Sequence, residues 1–125
     1  MKSSRQVYLI SIFLLLASLF FAQPVLAHAK LATESPLSNS VLLASPNELA
    51  LTFSEAIELG FSQFTLMNSK KNLITIAKPS LYVNNPNQVR IQLPQPLGAD
   101  IYEVQWHVLS VDGHKTSGSY SFTVK

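Results

Sequence analysis

The stretch "IYEVQWHVLSVDGHKTSGSYSFTVK", residues 101–125, carries two alternating apolar patterns separated by a short polar segment. In its first half every second residue is apolar, namely Tyr102, Val104, Trp106 and Val108. Its second half repeats that period at Tyr120, Phe122 and Val124. A period of two is typical of a β-strand with one buried face. This stretch therefore predicts two strands, the first of them the longest in the chain.

Shorter patterns of the same kind precede this stretch. We predict strands in "AKLATES" (29–35), "LALTFSE" (49–55) and "QVRIQL" (88–93), and a hairpin of "FSQFTLMN" (61–68) with "NLITIAK" (72–78). The segment "SPLSNSVLLASPNE" (35–48) is rich in Ser, Pro and Asn and is predicted to be a loop. No segment has a helical stripe. About seven short strands in a single domain indicate an all-β, immunoglobulin-like Greek-key β-sandwich or barrel.

The aromatic residues fit the core of such a fold better than a ligand surface. The expected core set is Phe53, Phe61, Phe64, Trp106 and Phe122. In addition, "GADIYEV" (98–104) is similar to the tyrosine corner of immunoglobulin-like sandwiches, in which a buried tyrosine hydroxyl bonds to the backbone just upstream.

The first 27 residues have the layout of a secretory signal peptide. Lys2 and Arg5 form a basic start, and a mostly apolar run covers residues 7–22. That run is short for a membrane span of about 20 residues, and "QPVLA" ends in small residues that a signal peptidase would recognise. We therefore predict cleavage after Ala27, a periplasmic domain of residues 28–125, and no membrane insertion after cleavage. An uncleaved anchor is the alternative.

Cleavage also changes the charge balance. Removing 27 of 125 residues leaves 98, and the loss of Lys2 and Arg5 leaves seven basic and seven acidic residues. A formal charge of zero leaves no basic patch for nucleic acid. The chain has no cysteine, which excludes disulfide bonds and thiolate metal ligands.

Cleavage after Ala27 makes His28 the first residue of the mature chain. A free N-terminal histidine offers two nitrogen donors, the α-amine and the imidazole, which together can close a chelate ring on a metal ion. Both must be deprotonated to bind, so we expect the affinity for the metal to decrease as the pH is lowered. The alternative is that the peptidase tolerates many residues at this position and histidine is one of them.

A second candidate pair lies in "SVDGHKTSG", residues 110–118. Asp112 and His114 are two positions apart, so in an extended backbone both side chains leave on the same side. The alternative is an ordinary Asp-Gly turn with a solvated histidine. Combined with His28, the pair supplies three nitrogens and one oxygen. That donor set suits Cu(II) in a tetragonal arrangement, and zinc could use it in a tetrahedral one.

Three segments carry a resemblance to a known family: "HAKLATESP" (28–36), "LALTFSE" (49–55) and "YEVQWHVLSVDGHKTSGSYSFTVK" (102–125). Together they resemble the CopC family of periplasmic copper-binding proteins, most closely its short YobA-type members. The resemblance implies an immunoglobulin-like fold and one Cu(II) per chain, held by the amine and ring of His28 and by Asp112 and His114. It also implies a non-catalytic role in copper uptake or resistance, beside a CopD-like inner-membrane protein.

Three other residues bear on this interpretation. Some family members have a methionine-rich loop for Cu(I), but the mature chain here has Met67 alone, which predicts no separate Cu(I) site. Glu55 matches a family position close to the copper; it is either a weak extra ligand or an outer partner of His28, or else a solvated acid at a strand end. His107 lies on the opposite strand face from Trp106 and is predicted to be a surface or outer histidine rather than a ligand.

Two other classes of function stay open on the sequence. A histidine brace, in which an N-terminal histidine and a second histidine hold copper, also occurs in oxidative polysaccharide-cleaving monooxygenases. Against that enzyme reading, Asp112 would fill the in-plane position that oxygen needs, and the chain is small. The third possibility is a metal-free immunoglobulin-like interaction module, with both histidine placements accidental.

Overall fold

The computed structural model describes residues 29–125, so the predicted signal peptide and His28 lie outside the described residues. In chain order the strands are β1 (Leu31–Ser35), β2 (Val41–Leu42), β3 (Glu48–Phe53), β4 (Gln63–Met67), β5 (Leu73–Ile74), β6 (Ser80–Tyr82), β7 (Asn85–Gln92), β8 (Asp100–Leu109) and β9 (Lys115–Val124). A 3-10 turn, Leu59–Phe61, precedes β4. The prediction of a single all-β domain is confirmed.

The strands form two sheets. One has the order β1-β3-β7-β6 and the other the order β2-β9-β8-β4-β5. The β8–β9 hairpin is the longest pairing, with a continuous register from Asp100 opposite Val124 to Leu109 opposite Lys115. It forms the centre of the five-stranded sheet and carries the candidate metal-binding turn at its tip.

The core lies between the inner faces of the two sheets and follows the alternation in the sequence. In β3 and β7 the buried apolar residues are Leu49, Leu51, Phe53, Val89 and Ile91. The facing sheet contributes Phe64, Leu66, Tyr102, Val104, Trp106, Val108, Tyr120, Phe122 and Val124. The rings of Phe53 and Trp106 meet edge to face with their centroids 6.2 Å apart, which joins the two sheets through an aromatic contact.

The tyrosine corner expected from "GADIYEV" is present. The hydroxyl of Tyr102 donates a hydrogen bond to the carbonyl of Gly98 at 2.8 Å. Burial of the ring raises the pKa of Tyr102, so the phenol stays neutral and able to donate. This bond fixes the chain just before it enters β8.

Two details of the sequence prediction were wrong. Phe61 was placed in the core, but it is 80% exposed because it sits on the 3-10 turn rather than on a strand face. The segment 35–48 was predicted to be entirely loop, but it contains β2, which pairs in parallel with β9. Two residues are too few to show an alternating pattern, although Leu42 packs against the core.

Within residues 29–125, no helix is long and apolar enough to cross a membrane.

Candidate metal centre

The turn Ser110–His114 joins β8 to β9. The amide of Ser110 donates to the carbonyl of His114 at 2.9 Å, and the amide of Gly113 donates to the carbonyl of Ser110 at 2.9 Å. Gly113 has a φ of 89°, a left-handed conformation that glycine adopts without a steric penalty. These contacts make the turn a defined structure rather than a loose loop.

Asp112 uses its two carboxylate oxygens in different ways. Oδ1 accepts hydrogen bonds from the amide of His114 at 3.2 Å and from the hydroxyl of Ser110. Oδ2 lies 3.0 Å from Nδ1 of His114. The side chains of His114 and Asp112 are 41% and 36% exposed, whereas the Nδ1 atom of His114 is itself buried. On the sequence, a metal-binding pair and an ordinary Asp-Gly turn were alternatives. The structure has the turn and places the two side chains side by side on it, and their binding of a metal stays a prediction.

Hydrogen bonds keep the Asp112 carboxyl ionised. The hydroxyl of Ser110 is the largest cause, followed by the side chain of His114, and together they hold the pKa of Asp112 well below its usual range. Hydrogen bonds to the charged form favour that form. The Asp112 carboxylate therefore stays negatively charged throughout the pH range in which a histidine can act as a metal ligand.

Glu55 lies beside this turn. The Glu55 side chain is the smallest of the causes that lower the pKa of Asp112. The backbone supports this placement, because the amide of Val111 donates to the carbonyl of Ala56 at 3.0 Å and Ile57 forms a β-bridge with Ser110. Glu55 therefore lies next to the candidate turn, and its role at a metal site stays a prediction.

The described chain begins next to the same turn. Ala29 is 1% exposed, and its carbonyl accepts a hydrogen bond from the hydroxyl of Thr116 at 2.7 Å. Thr116 stands two positions after His114, at the start of β9. His28, which directly precedes Ala29, lies outside the described residues, and its side chain and α-amine stay a prediction.

The described residues do not complete a metal site by themselves. From residue 29 onward, no group of three or more His, Cys, Asp and Glu is arranged to hold a metal ion. Asp112 and His114 are brought together as predicted, but they supply one oxygen and one imidazole. A complete donor set requires ligands beyond this pair.

The remaining sequence candidates lie elsewhere. His107 is exposed on the outer face of β8, with its Nδ1 atom 2.8 Å from the hydroxyl of Ser117, as expected of a surface histidine. Met67 is the last residue of β4, half-buried and opposite Glu103 in the neighbouring strand.

Sequence reasoning missed two residues that shape the site. Ser110 is 1% exposed and continues the buried face of Val104, Trp106 and Val108. A serine at a buried position of an apolar alternation needs a hydrogen-bond partner, and that signal was available in the sequence. Thr116 gave no such signal, because its partner, the Ala29 carbonyl, is 87 residues away in the chain.

Comparison with known proteins identifies the family. Residues 31–125 match the CopC domain. The chain belongs to the CopC family. It is 39% identical over 101 residues to Protein YobA of Escherichia coli K12, covering 81% of this chain and 82% of that protein. It is 33% identical over 107 residues to Copper resistance protein C of Escherichia coli, covering 80% of this chain and 83% of that protein.

Solved structures of CopC proteins share the fold. The crystal structure of CopC from Methylosinus trichosporium OB3b matches with a TM-score of 0.72 and 30% identity, covering 78% of this chain and 94% of that one. PcoC, a methionine-rich copper resistance protein from Escherichia coli, matches with a TM-score of 0.70 and 31% identity, covering 79% and 100%. Membership of the CopC family, with a YobA-like sequence, agrees with the resemblance found in the sequence.

Proposed function

We propose that this chain is a periplasmic Cu(II)-binding protein that carries or buffers one copper ion per chain in copper homeostasis. The observation that carries the proposal is the convergence of Asp112 and His114, with Oδ2 and Nδ1 3.0 Å apart, on the turn next to Ala29. The family supports it, since its relatives include proteins named for copper resistance and, in Bacillus subtilis, for copper transport.

His28 completes the proposed ligand set. His28 directly precedes Ala29, and consecutive Cα atoms are about 3.8 Å apart. The carbonyl of Ala29 in turn accepts a hydrogen bond from Thr116 of β9, two positions after His114. With its α-amine free, His28 adds two nitrogens to the imidazole of His114 and the carboxylate of Asp112. Three nitrogens and one oxygen without sulfur suit Cu(II), which also has the highest affinity in the divalent series.

The site is proposed to bind copper without catalysis. Asp112 would supply a fourth donor to the copper, at a place that a copper oxidase would need to keep open for oxygen. We expect the ascorbate-reduced, copper-loaded protein to consume no more oxygen than free copper at the same concentration. Oxygen consumption above that level, measured with an oxygen electrode, would favour the histidine-brace enzyme instead.

The location and the partner follow from the leader and the family. A signal peptide of residues 1–27 would export the chain and expose His28 as the new terminus. The relative named Copper transport protein CutJ matches over 90% of this chain but only 21% of its own length. A domain of this kind is therefore part of a longer protein that is named for copper transport. This supports a CopD-like inner-membrane protein as the proposed partner. A single methionine in residues 28–125 speaks against a separate multi-sulfur Cu(I) site.

A competition titration tests copper binding. The chain beginning at His28 is titrated with Cu(II) against a chelator, and emission of Trp106 is followed. Trp106 is the single tryptophan and lines a cavity with Ala29 and Thr116, so a paramagnetic ion bound nearby should quench it.

Two histidine variants make this titration specific. Because outer partners of a metal already contribute about 10- to 100-fold in affinity, we expect loss of the proposed ligand in His114→Ala to weaken binding by at least that factor. His107→Ala is the matched control, since it removes an exposed histidine bonded to Ser117, and it should bind like the unaltered chain. Equal affinities of both variants and the unaltered chain would exclude His114 as a ligand. Binding by the unaltered chain that is no tighter than that of an unrelated histidine-containing protein would favour the metal-free interaction module.

A further inference from the structure

The start of the described chain is held by a side chain of β9. The Thr116 hydroxyl donates to the Ala29 carbonyl at 2.7 Å. Thr116 lies on the inner face of β9 together with Tyr120, Phe122 and Val124, whereas the side chain of its neighbour Ser117 lies on the outer face. Ala29 packs into the core and is 1% exposed. This hydrogen bond therefore connects the N-terminal segment to the strand that follows the metal-binding turn.

A second pair of contacts holds the same segment from the other side. The amide of Lys30 donates to the hydroxyl oxygen of Ser54 at 2.9 Å, and the amide of Ser54 donates to the carbonyl of Lys30 at 2.8 Å. Ser54 directly follows β3. Ala29 and Lys30 are therefore fixed between the end of β3 in one sheet and the start of β9 in the other.

We propose that Thr116 is a positioning residue for copper: its bond to Ala29 sets the N-terminal amine and imidazole beside Asp112 and His114 before the metal arrives. This inference rests on the proposed function. The bond joins the immediate neighbour of one proposed ligand, His28, to a residue two positions from another, His114.

Preorganisation gives the bond a measurable consequence. If the N-terminal segment detaches from β9, the amine and the ring of His28 leave the site, and only the attached fraction of molecules binds copper as a chelate. Apparent affinity falls in proportion to that fraction. Loss of one hydrogen bond of ordinary strength predicts a decrease of about two- to tenfold, with faster copper release.

Three variants of the chain beginning at His28 test this role. Thr116→Val keeps the shape of the side chain but removes the donor, and it should weaken Cu(II) binding by the factor above. Thr116→Ser keeps the hydroxyl and should recover most of the affinity. Ser117→Ala removes the neighbouring hydroxyl, which faces His107 instead of Ala29, and should leave affinity unchanged. In the metal-free protein, amide hydrogen exchange at Lys30 should be faster in Thr116→Val than in Thr116→Ser.

A double-mutant cycle separates positioning from general stability. The same Thr116→Val change is made in a chain with one extra residue before His28, where the amine is an amide and the chelate cannot form. A positioning role predicts a larger loss in the chain beginning at His28 than in the extended chain, which keeps only the imidazole of His28 as a ligand.

Two results would overturn the proposal about Thr116 while leaving the proposed function intact: equal losses in both chains, or no loss in either. A third result concerns the extended chain that keeps Thr116. If its Cu(II) affinity equals that of the chain beginning at His28, the N-terminal amine is not a ligand. The proposed function in this form and the inference built on it are then both wrong.

Discussion

Oδ2 of Asp112 lies 3.0 Å from Nδ1 of His114, and the same carboxylate accepts a hydrogen bond from the His114 amide through Oδ1. One side chain therefore both closes the turn between β8 and β9 and orients the histidine. Formation of the hairpin and formation of the candidate ligand pair are a single structural event. Changes at Asp112 are expected to affect both the fold and the site, and the predictions below separate the two effects.

We predict that Asp112→Asn weakens copper binding less than His114→Ala does. Asparagine keeps an oxygen that accepts from the His114 amide, and water can replace the lost anionic donor. The expected loss for Asp112→Asn is about 10- to 100-fold, with a larger loss for His114→Ala. Chelator competition at constant pH measures both affinities. Equal losses at the two positions would contradict the ranking.

The stability of the metal-free protein should fall on the acid side because of Asp112. Its pKa is lower in the folded protein than the reference value of about 3.9. A lowered carboxyl pKa contributes stability above the reference value, and this contribution is lost as the pH falls below about 4 toward the folded pKa. Asp112→Asn should flatten this part of the pH profile in urea unfolding, and Ser110→Ala should reduce its slope.

The control for that experiment is Asp100→Asn. The pKa of Asp100 is also lowered, chiefly by a hydrogen bond with the side chain of Ser69, but Asp100 lies at the start of β8, far along the strand from the turn. Asp100→Asn should change how the free energy of unfolding depends on pH in acid, without changing copper affinity. A profile for Asp112→Asn that matches the unaltered protein between pH 2 and pH 5 would show that the turn does not depend on the carboxylate.

Gly118 is required for packing of the single tryptophan. Gly118 lies opposite Trp106 in the β8–β9 pair, and a Cβ atom there would be 2.3 Å from Cζ2 of the indole ring. Because Trp106 is buried, the ring or the strand must move, and Gly118→Ala should lower the free energy of unfolding by about 1–3 kcal/mol. Chemical denaturation followed by circular dichroism measures this loss.

Gly60→Ala is the matched control for the packing prediction. A Cβ atom at Gly60 would meet no heavy atom within 4 Å. The stability of Gly60→Ala should stay within about 0.5 kcal/mol of the unaltered protein, the usual range for surface changes. If Gly118→Ala is as stable as Gly60→Ala, Trp106 does not occupy the position described here.

Much of the fold could be predicted from apolar alternation. The inward faces of β3, β7, β8 and β9 follow it. The tyrosine corner before β8 was predictable from the motif "GADIYEV" instead. Alternation could not reveal β2, whose two residues pair through backbone groups. The prediction for Phe61 was wrong because this aromatic residue lies on the 3-10 turn just before β4 and not on the buried face of the strand.

The candidate site was predictable in its residue types but not in its supporting contacts. Asp112 and His114 stand two apart, and their approach follows from local geometry. Ser110 could have been recognised as a polar residue on a buried strand face. The bond from Thr116 to Ala29 depends on how the N-terminal segment meets the last strand, and no local pattern encodes contacts across so much of the chain.

The central claim is that export creates the site by exposing the amine of His28. The most direct measurement is the electron paramagnetic resonance spectrum of the chain beginning at His28 with one equivalent of Cu(II), compared with the same chain carrying one additional N-terminal residue. We predict an axial, nitrogen-rich signal that changes when the amine becomes an amide. Identical spectra from the two chains would contradict the account and leave Asp112 and His114 as the only residues to which copper binding could be assigned.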